Sequence, residues 1–403
     1  MTSGARAGAP RPVLMIVHSY YEEDPRVRRE AESLVGAGRP VAVLALRKEG
    51  GPETSEVDGV RVHHLDVQRH QGAGLGVYLR EYLSFLARAI FAAVRLHRRE
   101  RFALAQVHSL PDFLVFAALP LRLVGVPVLL DLHEAMPEFF RSRFPGASNP
   151  IAHRLLLLQE RVSVAASTAT ITVNESMRDR LIGLGVPAAK VGVVVNSPSL
   201  ARFDAAAHAR RPFREDGRLR LVYTGALTPT YEMDVAVAAV ARIVAARPDL
   251  DVAFDVYGRG DSGPALAAQA TELGIAQRVT FHGRIPIEHV PEAVAGADIG
   301  LAPTRHDRFT DMSLSTKVFE YAAMGKPVVA SRLPMIERTF PPGTVAAYTP
   351  GDPAAMADAI LGFADDATAR EAAVARTAEI VQAGSWEHES EGYLALVERI
   401  IQS

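Results

Sequence analysis

Cysteine is missing from all 403 residues. That excludes disulfides, thiolate metal sites and cysteine nucleophiles. Lysine is almost missing too. Of 44 basic residues, Lys48, Lys190, Lys317 and Lys326 are the lysines and the rest are arginines. An ammonium is a compact point charge and a guanidinium a planar fork, so the two are not equivalent at a tight site. Two of the lysines fall in one short stretch, 316–331. The net charge is only −2, which removes the electrostatic case for nucleic-acid binding. No apolar run reaches the roughly 18 residues of a membrane span. The apolar run around Val13 to Val17 is too short for a signal-peptide core, and the expectation is a cytoplasmic protein.

Apolar residues, by contrast, are plentiful. They make up 48% of the chain against 22% charged, the balance of a globular protein with large cores. One core rarely serves a chain this long, so two domains are expected. Short β-branched runs alternate with longer amphipathic segments, the pattern of βα units around a parallel sheet. In the first half the runs are VLMIVHS, VAVLAL, VRVHHL, LAQVHS, VLLDLH, TITV and VGVVVN. Helices are predicted between them, over Arg26–Val35, Tyr78–Arg99 and Ser176–Leu184. The pattern breaks after Asn196. The Pro-, Arg- and Ala-rich stretch 198–217 reads as a linker between a domain over 1–197 and a second over 218–384. The second series of strands is LRLVYTG, VAFDVYG, RVTFHG, DIGLAP, PVVAS and TVAAYT. Residues 385–403 read as a last helix with Trp386 at its start. Ligands of parallel sheets bind outside the carboxyl ends of the strands, so two such domains are expected to place those ends on either side of a cleft. The basic stretch 78–102 reads as a surface helix with a core face and a solvated arginine face. The same pattern suits a membrane surface, which leaves open a peripheral place at the inner face of a membrane.

The stretch TKVFEYAAMGKPVVAS, residues 316–331, opens a helix with a lysine. A helix start carries partial positive charge, so a cation there is unfavourable unless something anionic is nearby. Ser313, Ser315 or Thr316 can cap this helix, and Gly325 followed by Pro327 ends it. Free N–H groups, small hydroxyls and a lysine together make an anion site, best suited to a phosphate. One turn on, Glu320 can accept from paired hydroxyls such as those of a ribose. The competing reading is an intrahelical Lys317–Glu320 pair on a solvated face.

These residues resemble the C-terminal signature of the family 4 glycosyltransferases, a retaining family with the GT-B fold of two Rossmann-like parallel-sheet domains facing a central cleft. The resemblance runs along nearly the whole chain: VLLDLHE, ITVNESMRDRL and VVVNSP in the first domain, then LVYTGAL, FDVYGRGD, RVTFHGRIP and ADIGLAP in the second. The segment Trp386 to Tyr393 matches the last helix, which in this fold packs back on the first, acceptor-binding domain. The resemblance implies transfer of a sugar from a nucleotide diphosphate sugar to an acceptor (a glycan, a lipid-linked sugar or a small natural product), without metal or cofactor. Lys317 would bind the donor diphosphate and Glu320 the ribose. The backbone of Ser313, Leu314 and Ser315 would hold sugar and phosphate, beside the glycine turn at Gly225. Arg284 and Ile285 would lie beside the base, and His133 near the donor sugar. Catalysis would be mainly leaving-group stabilisation by positioned charge, the departing phosphate helping to deprotonate the acceptor.

The chain departs from the family pattern where an acidic residue is usual, at Met312 with Asp311 beside it. It departs again at Ala226 and Tyr231, where two phosphate-binding cations are usual. Replacement charge would come from Lys317, Arg259, Arg305, Arg308 or, across the cleft, Arg26. Arg26 stands at a helix start in the first strand-to-helix loop. His108 and Asp112 are candidate acceptor contacts, and Glu134 a base should the enzyme invert. Asp249-Leu250-Asp251 has the form of a metal-binding DxD but falls at a strand start, and reads as a turn. Three rivals stand beside the transferase: a nucleotide-sugar epimerase, which needs acid–base residues but no acceptor; a two-domain sugar-binding protein, usually exported; and a donor-binding homologue with little activity.

Overall fold

The computed structural model describes residues 10–68, 75–143, 149–209 and 211–403. The chain forms two compact units. The first comprises residues up to Phe139, Gly146–Asn196 and Glu389–Ser403; the second comprises Phe140–Pro145 and Ser197–His388.

The first unit is built on eight strands: β1 Val13–Ile16, β2 Val41–Leu46, β3 Thr54–Val57, β4 Val60–Leu65, β5 Leu104–His108, β6 Val128–Leu132, β7 Ala169–Thr172 and β8 Val191–Val193. Their order is β3-β4-β2-β1-β5-β6-β7-β8. All neighbours are parallel except β3 and β4. The central strands β1, β2, β5 and β6 are buried at every position, as expected where helices cover both faces. The chain starts at β1, builds outward through β2 to β4, then returns to build the other half from β5. Loops therefore diverge at the carboxyl ends of β1 and β5, the switch point of the sheet. Strand β3 was not expected. It is an edge strand whose residues are exposed or half-buried in turn, so it lacks the apolar run that reveals the others.

The second unit has six parallel strands: β9 Arg218–Thr224, β10 Asp251–Tyr257, β11 Val279–Gly283, β12 Ile299–Ala302, β13 Val328–Ser331 and β14 Ala346–Tyr348. Their order is β11-β10-β9-β12-β13-β14, which puts the switch point between β9 and β12. Alternation along the strands divides the core. Leu219, Leu221 and Tyr223 pack on one side with Phe254 and Val256, while Val222 packs on the other with Val318, Tyr321 and Ala330. Residues 198–217, read as a linker, are held by this unit: Phe203 is buried in its core and Arg211 pairs with Asp298 at 2.6 Å. The last helix, Trp386–Gln402, contributes Tyr393 and Val397 to the core of the first unit, both fully buried. No described helix is long and apolar enough to cross a membrane.

Candidate active site

In the second unit the site is built where β9 and β10 run into glycine turns. Gly225 has φ +146° and donates its N–H to the carbonyl of Tyr257 at 2.8 Å; Gly258 has φ +157° and donates to that of Gly283 at 2.8 Å. A Cβ on Gly258 would lie 1.7 Å from the carbonyl oxygen of Gly225, so only glycine fits this contact of backbone on backbone. A Cβ on Gly225 would lie 2.4 Å from Cε of Lys317. The bare turn is the slot that admits the lysine.

Lys317 belongs to the helix Thr316–Ala323, which is latched to the switch point by Tyr321. The Tyr321 hydroxyl accepts from the Thr224 N–H at 2.8 Å, and its ring occupies the space left by Gly300, where a Cβ would lie 2.3 Å from it. None of the expected hydroxyls caps the helix: the N-cap is Ser315, with no side-chain cap bond. Ser313 Oγ instead donates to the carbonyl of Phe309 at 3.1 Å, and Ser315 Oγ is buried without a partner among the described residues. The first N–H groups of this helix are therefore not satisfied by a capping side chain.

Lys317 is 8% exposed, with Nζ 3.8 Å from the ring centroid of Tyr231 and 5.4 Å from that of Tyr223. Among the described residues no carboxylate pairs with it, so the competing intrahelical pair with Glu320 is not formed. The Tyr223 hydroxyl donates to the carbonyl of Ala226 at 2.7 Å, which fixes its ring. An ammonium this buried and balanced by aromatic faces alone is a seat for an anion. Tyr231, which stands where the family pattern has a cation, is the floor beneath that ammonium.

The other expected donor residues are placed more loosely. Arg259 is exposed, its guanidinium beside the turn at Gly283. After β11, Arg284 is exposed and Ile285 half-buried, and Glu320 is half-buried one turn beyond Lys317. Arg305 is tied to the carbonyl of Pro229 at 3.1 Å and to Asp234 at 3.2 Å, while Arg308 is exposed. Asp249 pairs with Arg247 at 3.1 Å and Asp251 with Arg218 at 2.6 Å. These aspartates stand at the start of β10, the opposite end from the glycine turns, and are occupied as surface pairs.

In the first unit the ends of β5 and β6 hold a second cluster, centred on the fully buried Asp131. Arg26 grips its carboxylate with Nε at 2.9 Å and Nη2 at 2.7 Å; His108 Nδ1 lies at 3.0 Å and His133 Nε2 at 2.8 Å. Burial opposes the charge on Asp131. Arg26, His133 and the histidine hydrogen bonds outweigh it and hold the carboxyl well below its usual range. An ionised carboxylate only accepts, so His108 carries its proton on Nδ1 and His133 on Nε2. The His133 side chain is the one of the four with appreciable exposure, 19%. Behind Asp131, Glu30 accepts from Gln106 at 2.5 Å, and Gln106 accepts from the Tyr393 hydroxyl at 2.7 Å.

The first unit corrects three expectations. Arg26 does not reach outward for a phosphate, because its anion is Asp131 inside the same unit. His108 is fully buried on the same carboxylate and cannot touch an acceptor directly. Asp112 is fully buried as well; burial and then Glu160 push its carboxyl well above the usual range, against Arg180. Glu134 is partly exposed, and desolvation raises its carboxyl to about 7 against the pull of His133. His108, Asp131 and His133 have ligand atoms within 4.8 Å of one another, a spacing that could hold a metal ion. The guanidinium already on Asp131 supplies positive charge there and would repel one. Sequence reasoning passed over Asp131, whose one signal was a charge inside an apolar strand. It also passed over the roles of Tyr223 and Tyr321, which read as ordinary core aromatics.

Two parallel-sheet units, one with an anion seat between a glycine turn and a helix start, define the GT-B class of sugar transferases. Over residues 24–197 the chain matches the glycosyl transferase 4-like domain, and over 218–366 the glycosyl transferases of group 1. It is 24% identical over 364 residues to the alpha-D-kanosaminyltransferase of Streptomyces kanamyceticus, covering 86% of this chain and 91% of that one. It is 26% identical to the 2-deoxystreptamine glucosyltransferase of the same organism, covering 76% and 73%. Among solved structures, sucrose-phosphate synthase from Thermosynechococcus elongatus superposes with a TM-score of 0.78 at 19% identity, covering 97% of this chain and 99% of that one. The chain belongs to the family 4 glycosyltransferases. It is an enzyme that moves a sugar from a nucleotide sugar to an acceptor.

Proposed function

We propose that this enzyme transfers a hexosyl group with retention at the anomeric carbon, and that Lys317 holds the donor diphosphate. The observation that carries the reading is the buried ammonium of Lys317, without a carboxylate partner among the described residues, at the start of a helix that no side chain caps. A diphosphate supplies the missing negative charge, and the same contact strengthens as the sugar–phosphate bond breaks and charge builds on the leaving oxygen. Glu320, one turn on, accepts the ribose hydroxyls. The backbone at Ser313, Leu314 and Ser315 donates to phosphate and sugar, with the unpartnered Ser315 hydroxyl available to either. His133, the part-exposed member of the Asp131 cluster, contacts the reacting sugar. In the transfer, the bond between the anomeric carbon and the phosphate oxygen breaks and the acceptor oxygen bonds to that carbon from the same face. The acceptor proton passes to the departing diphosphate. No metal is assigned a part. The acceptor proposed is a polyhydroxylated ring of the cyclitol type, supported by the 2-deoxystreptamine in the name of one relative.

The test is turnover of nucleotide hexoses with 2-deoxystreptamine and myo-inositol as acceptors, the product anomer being read from its proton couplings. Lys317→Ala should lower kcat by roughly a hundredfold or more, the loss expected for one leaving-group contact, with its melting temperature little changed. Near-parental turnover in that variant would refute the assignment of Lys317. An inverted product would refute retention while leaving the donor seat in place.

A further inference from the structure

The first unit exposes an apolar surface that glycosyl transfer does not explain. On the helix Leu75–Glu100, Leu79, Leu83, Ala87 and Phe91 recur at a spacing of four and are exposed, Phe91 to 77%. On the helix Pro150–Ala166, Ile151, Leu155, Leu158, Val162 and Ala165 form a second exposed stripe, Ile151 at 70%. The 3-10 stretch Asp112–Ala118 packs against both helices. It leads into Leu123, exposed to 80%, while Arg122 donates to the carbonyls of Ala165 and Ala166. The three segments thus form one neighbourhood of the same unit.

Charge follows these stripes. Arg80, Arg88, Arg95, Arg98 and Arg99 are exposed along the first helix, and Arg154 and Arg161 along the second. None of them pairs with a carboxylate among the described residues. The acidic residues of the two helices are turned elsewhere. Glu81 is buried beside His18, Glu160 is buried on Arg180, and Glu100 pairs with Arg61 at the far end of the first helix. In a chain of net charge −2, unpaired positive charge is gathered here.

Apolar patches of this extent on a soluble unit mark an interaction surface. A second copy of the chain is a poor occupant, because it would set seven arginines against seven. Apolar stripes flanked by arginines fit a surface with an apolar interior and an anionic rim, which is the interface of a bilayer with acidic headgroups. We propose that this face docks the enzyme on an anionic lipid surface, with Leu83, Phe91, Leu123, Ile151 and Leu158 entering the interface and the arginines meeting the headgroups. The helices lie on the bilayer and do not cross it.

The experiment is flotation of the full chain with vesicles of phosphatidylglycerol mixed with phosphatidylcholine, against vesicles of phosphatidylcholine alone. The enzyme should float with the anionic vesicles and not the neutral ones, less so at high salt. The double variant Arg88→Glu/Arg95→Glu should bind anionic vesicles roughly 25-fold more weakly or worse, each arginine near such a surface being worth about a fivefold factor. Phe91→Ser with Leu158→Ser should weaken binding at every salt concentration. None of these residues lies in the donor seat or the Asp131 cluster, so nucleoside diphosphate binding, measured alongside, should stay at the parental level and report intact folding. Failure to float with anionic vesicles overturns the proposal, as do variants that float like the parent. A dimer in sedimentation equilibrium that dissociates on Phe91→Ser would assign the face to a second copy and overturn it too.

Discussion

Lys317 and Tyr231 form the contact on which the proposed donor seat depends. The ammonium stands 3.8 Å from the ring centre, and such a contact contributes about 0.5–2 kcal/mol as it becomes desolvated. Tyr231→Leu should therefore weaken nucleoside diphosphate binding by roughly three- to thirtyfold, because Lys317 loses the surface that orients it. Tyr231→Phe keeps the aromatic face and should bind like the parent. Calorimetric titration of both variants checks this, and equal losses in the two would assign the effect to the hydroxyl. Glu30 offers a second test at this scale. Burial, followed by Asp131, raises its carboxyl from 4.5 to about 8 against Arg26. The folded chain thus holds this proton more tightly than the unfolded chain, so the stabilisation is full below the unfolded value and drains away as pH rises towards the folded one. Glu30→Gln is neutral throughout. Its melting temperature should gain on that of the parent from about pH 5 to about pH 8, and a constant difference over that range would contradict the assignment.

At the level of elements, the helix Thr316–Ala323 matters for where it begins. Its register against β9 and β12 is set by Tyr321, which reaches the Thr224 N–H at 2.8 Å. Tyr321→Phe would leave that buried N–H without its acceptor, a loss of about 1–3 kcal/mol. Urea unfolding should show it, and the Michaelis constant for the donor should rise as the helix start loosens. The elements themselves were largely legible in the sequence. VLLDLH, VAFDVYG and PVVAS are β-branched runs bounded by turn residues, and each is a strand of the sheet. Thr54–Val57 was not legible, since an edge strand with one wet face needs no apolar run. The helix cap was misread for a similar reason. Three hydroxyl residues precede Lys317, and local sequence cannot tell a hydroxyl that caps from one turned to another carbonyl or left unpartnered.

For the whole molecule, the chain returns at its end to the unit in which it began. Tyr393 donates to Gln106 at 2.7 Å, and Arg39 pairs with Glu398 at 2.6 Å. Removal of residues 389–403 takes away the fully buried Tyr393 and Val397, side chains whose loss costs about 2–5 kcal/mol apiece. The deletion should strip hydrogen-exchange protection from β1 and β5 while β9 and β10 keep theirs. Equal loss in both sheets would mean that the two units unfold together. The surface of the first unit proposed to dock on lipid acts at this scale too. If docking is found, a cyclitol acceptor carried on a lipid becomes the substrate to test before a free one.

The sequence by itself determined the class of fold and the family, because these rest on periodicity and on ordered local motifs. Alternating apolar runs and helices specify parallel sheets, and TKVFEYAAMGKPVVAS with its companion strand ends specifies the transferase. It also placed a lysine at a helix start, an oddity visible from charge and capping rules alone. The tertiary structure decided which charge meets which. Arg26 and Lys317 both read as cations at helix starts awaiting an anion. Only the fold shows that Asp131, 105 residues along the chain, already holds Arg26, whereas Lys317 lies on aromatic rings with no carboxylate paired to it among the described residues. Strand order, not sequence neighbourhood, sets the partner of a buried charge. The desolvation that makes an unpaired charge informative exists only once the chain has folded around it.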